Sequence, residues 1–388
     1  MSEKLYDRDS HLFSFRAAVQ SCEPAEGGWI VALDRTAFFP EGGGQPADTG
    51  TLRDAVVSDV QIKDNIIYHY VNLPLPLGSP VTGEIDAEQR LRRMQNHSGE
   101  HLVSGLMHTL FGLDNVGFHM GSCVTVDFNG ELTAEQLENV ERRANEAVRA
   151  DLPVRTWYPT PEELARLSYR SKKELSGDVR LVEIKGVDLC ACCAPHVSRT
   201  GEIGLVKLLS AVRHRGGTRL EMLCGLDALE DYRSRLESAA AVSHALSVPQ
   251  EKIAAGVRRM LTEQEKQKER IAALSMELAR LRAGSLPETE GNYCLFDSVL
   301  DEIGQRELTN LLADKCGGLA AVFSGSDGDG YRYMIASRRH DLRALAKTIN
   351  EAIGGRGGGS SQMLQGRATL DAEAIRGAIE GFCLDKLA

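Results

Sequence analysis

Two histidines four residues apart stand in the run Asn96-His97-Ser98-Gly99-Glu100-His101, which leads into apolar Leu102, Val103, Leu106 and Met107. On a helix that spacing stacks the imidazoles of His97 and His101 on one face, where each can offer a nitrogen to the same divalent ion. Two ligands do not complete a site, because protein-bound zinc takes about four, usually at least three from side chains. Soft ligands crowd together in one other place, Cys190, Cys192, Cys193 and His196. The mixed set His97, His101, Cys192 and His196 suits borderline-soft Zn2+. Cys190 and Cys193 rival Cys192 for the sulfur position. The same helix run also reads His-x-x-Glu-His, the inverted zinc-peptidase signature, in which Glu100 is the general base. That reading leaves the cysteine cluster and two glycine-rich segments without a purpose, so it ranks second.

The ligands need elements to hold them. Asp86 to about Leu113 is predicted as a helix carrying the histidine pair. Before it, from about Phe13 to Pro80, short β-like runs (Trp29 to Leu33, Ala55 to Val57, Ile66 to Tyr70) alternate with turn signals, which predicts a small all-β barrel. Gly42-Gly43-Gly44 lies within it, a triplet that lets backbone adopt positive φ and approach another surface. After the helix, Val124 to Phe128, Val154 to Trp157, Val179 to Ile184 and Gly204 to Leu208 read as strands, and Ala134 to Arg149 as a helix. This predicts an α+β core of helices on antiparallel sheet. From Ala228 to Arg282 the pattern is helical. Val257, Met260, Gln264, Gln267, Ile271, Leu274, Leu278 and Leu281 recur at three- and four-residue steps, as in a coiled coil or a long helix packed within the chain. The last hundred residues alternate strands and helices around Gly354 to Ser361, read as a glycine-rich loop. It lacks the Lys-Ser/Thr ending of a P-loop. The expected class is therefore α+β: a β-barrel over 1–85, a zinc-binding core over 86–226, a helical linker or dimerisation arm over 227–285, and a C-terminal α/β domain over 286–388.

At 388 residues the chain is long for one domain, since a domain averages roughly 150. Hydrophobic residues at 42% and charged ones at 26% are ordinary for a globular protein with sizeable cores. Met1 to Ser10 is polar and charged, so no signal peptide is expected, and no apolar run approaches membrane-spanning length. Nine cysteines, an odd number, fit a reducing compartment with a metal cluster better than a disulfide framework. A cytoplasmic location without membrane contact is expected. A net charge of −10 argues against nonspecific coating of nucleic acid. Arg166, Arg170, Lys172 and Lys173, then Arg213, His214, Arg215 and Arg219, are the groups from which a local basic patch can form; a solvated surface is the plainer reading.

Three blocks together carry a resemblance. Phe38 to Gln45 with Asp48-Thr49-Gly50, then Asn96 to His101, then Cys192 to His196 followed by Val197 to Gly204, resemble the editing region of alanyl-tRNA synthetases in order and in distance. The tail, Gly354 to Gly359 before Gln362-Met363-Leu364-Gln365-Gly366, resembles the C-terminal domain those synthetases share with DHH-type phosphoesterases. The DHH signature itself is absent, which argues against a phosphoesterase. The likeness covers nearly the whole chain. Because the first motif begins at Asp34, with no aminoacylation domain expected before it, the chain looks like a free-standing alanyl-tRNA editing protein of the long type. Ala194-Pro195 stands where the family more often has Gly-Thr, and the doubled cysteines bear on which sulfur is the ligand.

The resemblance implies a zinc-dependent hydrolase that deacylates tRNA(Ala) mischarged with serine, with glycine as a second adduct. It favours Cys192, whose four-residue spacing to His196 recurs in the family. It places His119, in Gly117 to Gly121, at a polar pocket position. Glu100, next to His101, is the other catalytic candidate, to orient water or substrate. Thr36 and Gln45 are candidates for binding the serine hydroxyl or the terminal adenosine. The chemistry is consistent: a synthetic pocket built for alanine rejects an added hydroxyl by only about 10²-fold, whereas a site that hydrogen-bonds the hydroxyl discriminates by roughly 10⁴ or more. Zinc with an open position would activate water, and a closed four-ligand site would position substrate or stabilise the fold. A protein that only binds tRNA remains the non-enzymatic alternative. Two chains pairing through the helical arm would give a homodimer.

Overall fold

Period-two alternation governs the first part of the chain, burying one face of each strand. The computed structural model describes residues 2–171 and 179–382; Lys172 and Lys173 lie outside the described residues. Eight strands come first: β1 (Glu3–Lys4), β2 (Ser14–Ala25), β3 (Gly28–Leu33), β4 (Arg35–Thr36), β5 (Gly50–Leu52), β6 (Ala55–Lys63), β7 (Ile66–Val71) and β8 (Pro80–Ile85). In β2, Phe15, Ala17 and Val19 are buried while Ser14 and Arg16 face solvent. Six strands close into a barrel in the order β2-β3-β7-β6-β5-β8, with β8 paired back to β2. Its core includes Val31, Leu33, Phe38, Leu52, Val60 and Ile67.

A polar pair, His69 and Thr36, is sealed in that core. His69 on β7 is fully buried, with Nδ1 3.1 Å from the Val31 carbonyl and Nε2 2.9 Å from Thr36 Oγ1. Burial lowers its pKa from 6.5 to about 4. The folded state thus keeps His69 neutral while the unfolded chain takes up a proton, so stability is intact above pH 6.5 and falls as pH drops towards 4. The expected loss by pH 4 is about 3 kcal/mol. Urea midpoints across this range check it: His69→Gln should flatten the slope, and an unchanged slope would count against the assignment.

Helix α1 (Ala87–Phe111) begins where Asp86 accepts a hydrogen bond from the Gln89 amide, and ends at Gly112 in the left-handed region (φ 67°). It is followed by β9 (Asn115–Met120), β10 (Val124–Phe128), α2 (Ala134–Arg149), β11 (Val154–Trp157), α3 (Pro161–Leu164), β12 (Leu181–Ile184), β13 (Asp188–Ala191), β14 (Val206–His214) and β15 (Gly217–Cys224). Two antiparallel sheets result, β14-β15-β10-β9 and β11-β12-β13. Met94, Leu102, Val103 and Met107 of α1 pack with Val126, Phe128, Val140, Ile184 and Leu220. The mixed α and β character agrees with expectation. A buried ion pair, flanked by Arg93, ties α1 to the loop after β4. Arg90, fully buried, sets Nε 3.0 Å from both oxygens of Asp48 and donates through Nη1 to the Ser10 carbonyl at 3.0 Å and through Nη2 to the Ala37 carbonyl at 2.6 Å. Asp48 also accepts from the Phe39 amide at 2.6 Å.

The chain divides into two compact units, Met1–Ser238 and Ala239–Ala388. The expected helical arm is two helices, α4 (Gly225–Leu246) and α5 (Ile253–Ser285). The break falls at Ser247, which takes φ 51°, and at Pro249, which has no amide hydrogen to continue a helix. On α5 the buried face is the small one, Ser275, Ala279 and Ala283, while Met260, Ile271, Leu274 and Leu281 of the apolar seam are exposed. Ala279 and Ala283 pack with Leu308 and Leu312 of the helix that follows β16 (Tyr293–Phe296), namely α6 (Glu302–Ala313). Then come β17 (Ala320–Ser326), β18 (Gly330–Ala336), α7 (Leu342–Ala352), β19 (Gly355–Gly359), β20 (Met363–Ala368) and α8 (Ala372–Glu380), with sheet order β16-β17-β18-β20-β19. The glycine-rich segment, expected as a loop, is therefore largely an edge strand. At Gly357 a Cβ would collide with the Tyr333 hydroxyl, so glycine is what lets β19 lie on that ring. Among the described residues, no helix is long and apolar enough to cross a membrane.

Candidate metal centre

His97 and His101 lie on one face of α1, and the turn after β13 carries Cys192 and His196 to them. The ligand atoms of these four residues all lie within 4.8 Å of one another. His97 Nε2 is 3.5 Å and His196 Nε2 3.4 Å from Cys192 Sγ. A tetrahedral zinc site with bonds of about 2.0 Å to nitrogen and 2.3 Å to sulfur has an N···S edge of about 3.5 Å. The donor set and its spacing fit a metal ion.

The far side of each imidazole is held by a different partner. His97 Nδ1 is 2.8 Å from Gln45 Oε1, His101 Nδ1 is 2.9 Å from Asp188 Oδ2, and His196 Nδ1 is 3.0 Å from Ser98 Oγ. With the proton on each Nδ1, the Nε2 atoms are left as ligands, the arrangement metal-binding histidines commonly take. Asp188 is in turn gripped by Arg170, whose Nε and Nη2 donate to its two oxygens at 2.7 and 2.9 Å. Burial disfavours the Asp188 carboxylate, but hydrogen bonds from His101 and Arg170 outweigh it and hold its pKa below the ordinary value. Gly105 on α1 permits this approach, since a Cβ there would stand 2.6 Å from both Asp188 Cβ and the Val187 carbonyl oxygen. Burial, reinforced by Cys193, pushes the Cys192 thiol well above its usual pKa. A cation among the three imidazoles is what would draw that proton off.

A cavity of about 580 Å³ opens beside the cluster, lined by His97, His101 and Cys192 together with Gly43, Gly44 and Phe118. Of the residues singled out in the sequence, Gln45 reaches the cluster, though as a support for His97. Glu100 is buried in a separate network, accepting hydrogen bonds from Ser104 and Asn115, and does not line the cavity. His119 is exposed on β9, and its neighbour Phe118 takes the inward position, with its ring centroid 4.8 Å from that of His97. Thr36 is sealed in the barrel with His69. Cys190 forms a second possible metal-holding trio with His101 and Asp188, and Cys193 is exposed on the cavity wall. Within the two basic groups, Arg170 pairs with Asp188, Arg219 with Asp127, and Arg213 with Glu131.

Comparison with known proteins bears on what this cluster belongs to. Residues 179–224 match the family model of the threonyl and alanyl tRNA synthetase second additional domain, and residues 7–89 match that of class II (A) tRNA synthetases. The chain is 29% identical to the alanyl-tRNA editing protein Aarsd1 of Mus musculus over 391 residues, covering 94% of each chain. Nearly the whole chain is thus a close match to an alanyl-tRNA editing protein. It is also 31% identical to the alanine–tRNA ligase of Pyrococcus abyssi and 32% identical to that of Halobacterium salinarum, spanning 43% and 38% of those longer proteins. The second-additional-domain match contains Asp188, Cys192 and His196, the class II match contains Thr36 and Gln45, and the paired histidines of α1 fall between the two.

The supporting roles of Ser98, Asp188 and Arg170 were not anticipated from the sequence, where Arg170 was read only as part of a basic group. Asp188 had a usable signal: it stands two residues before Cys190 on a short strand, hence on the same face. A search for partners of the second imidazole nitrogen would have selected it.

Proposed function

We propose that this chain hydrolyses the ester of tRNA(Ala) mischarged with serine, with glycine as a second adduct, at a zinc ion held by His97, His101, Cys192 and His196. The observation that carries it is the convergence of three braced imidazoles and one thiol at the wall of a substrate-sized cavity, in a chain similar to an alanyl-tRNA editing protein over 94% of its length. A bound zinc ion supplies Lewis-acid chemistry there. The chain's own residues do the rest. Gln45, Asp188 and Ser98 fix the ring orientations and keep each Nδ1 protonated. Gly43 and Gly44, both at positive φ, bring bare backbone to the cavity wall, where a peptide N–H can meet the developing oxyanion. Phe118 excludes water from one side of His97. In this reading Glu100 shapes α1 from behind, through Ser104 and Asn115. The exposed seam of α5 is the surface along which two chains would pair.

The deciding experiment is deacylation of Ser-tRNA(Ala) against Ala-tRNA(Ala), each with and without chelator. Loss of serine at a rate at least about 10²-fold above that of alanine, abolished by chelator, is expected. Binding of tRNA with neither ester cleaved would make the chain a binding module and overturn the proposal.

A further inference from the structure

Arg180 immediately precedes β12, and its side chain is only 3% exposed. Nη1 donates to the carbonyls of Cys192 and Ala194 at 3.0 and 2.9 Å, which fixes the guanidinium relative to the metal-ligand loop. Its other edge is different. Among the described residues, neither Nε nor Nη2 makes a hydrogen bond, although both are buried. Asp7 lies 3.5 Å from Nε, near enough for attraction but without hydrogen-bond geometry, and its other oxygen accepts from the Tyr158 hydroxyl at 2.8 Å. Buried cationic donors without acceptors are rare in folded proteins and point to a missing partner.

Nε and Nη2 form the side-on fork of a guanidinium, which matches two oxygens of a planar carboxylate or a phosphate. Arg180 lines the same cavity as His97, His101 and Cys192, and Lys4 supplies a second cation to its lining. An aminoacyl ester on the end of an RNA carries an ammonium on its amino acid. The anion nearest its reacting carbonyl is the phosphodiester preceding the ester-bearing nucleoside. We infer that the Nε–Nη2 edge of Arg180, which makes no hydrogen bond among the described residues, assisted by Lys4, seats this phosphodiester and so sets how far the ester reaches towards the metal cluster. The inference rests on the proposed deacylase activity. Arg180 is in this role a positioning residue and takes no part in bond breaking.

The test compares two small esters on the metal-loaded full chain: seryl-adenosine, which has no phosphate, and the seryl ester of cytidylyl-(3′→5′)-adenosine, which has one. For Arg180→Lys, kcat/KM on the phosphate-bearing ester should fall about 10- to 100-fold further than on seryl-adenosine, chiefly through KM. Lys4→Ala, which leaves the Cys192 loop untouched, should show a smaller loss of the same kind, about threefold. Equal losses on both esters in both variants would overturn the inference and leave Arg180 as a brace for the ligand loop. Should wild-type protein cleave neither ester, the deacylase reading fails, and the subsite is then read by calorimetric titration with cytidylyl-adenosine itself. Binding that Arg180→Lys weakens tenfold or more supports the anion seat; no binding, or equal binding, overturns it.

Discussion

Replacing His101 by alanine is expected to lower bound zinc from one ion per chain to less than about a tenth, and deacylation by at least about 10³-fold. The variant removes a ligand and also strands the Asp188–Arg170 pair that braces it. Asp188→Asn, which keeps the ligand and weakens its support, should cost about 10- to 100-fold in metal affinity with the protein still folded. Elemental analysis alongside single-turnover deacylation separates the two variants. Full metal content in His101→Ala would move the ion away from this quartet.

The second large effect is on stability. Asp48→Ala is expected to destabilise the N-terminal unit by about 3–5 kcal/mol, because it leaves the buried Arg90 guanidinium without its counter-charge. A transition of this size should move by about 10 °C. By contrast, breaking the exposed pair Arg142–Glu146 on α2 should change stability by less than about 1 kcal/mol. Calorimetry of the full chain, following the lower-melting unit in each variant, checks both. A change below about 1 kcal/mol for Asp48→Ala would mean that the pair is solvated in solution. Asp48 also holds the amide of Phe39 in the loop that carries Gly43, Gly44 and Gln45, so the same variant should weaken metal uptake.

Local signals were the legible ones. The helices over α1 and α2 and the strand β10 were readable within two residues, because their period is written in adjacent residues. The quartet was legible because four-residue spacings are a helix or turn property. Positions that depend on which way a neighbour faces were not. Glu100 adjoins a ligand, yet a step of one residue turns about 100° around a helix, and it points into the network of Ser104 and Asn115. His119 adjoins Phe118, but neighbouring residues on a strand face opposite sides. The break at Ser247 and the strand character of Gly355–Gly359 arise from backbone geometry and sheet pairing, which composition does not reveal.

His97 and Cys192, whose ligand atoms meet, are 95 residues apart in the chain. A contact of such long range forms late, after the intervening segments have collapsed and loop entropy has been overcome. A polypeptide still leaving the ribosome would therefore present only the helical pair of histidines, a weak bidentate grip. An ion at the quartet would be retained only once residue 196 has been synthesised and docked. On the proposed function, metal loading would thus report completion of the core, and a chain arrested before that point would be catalytically silent.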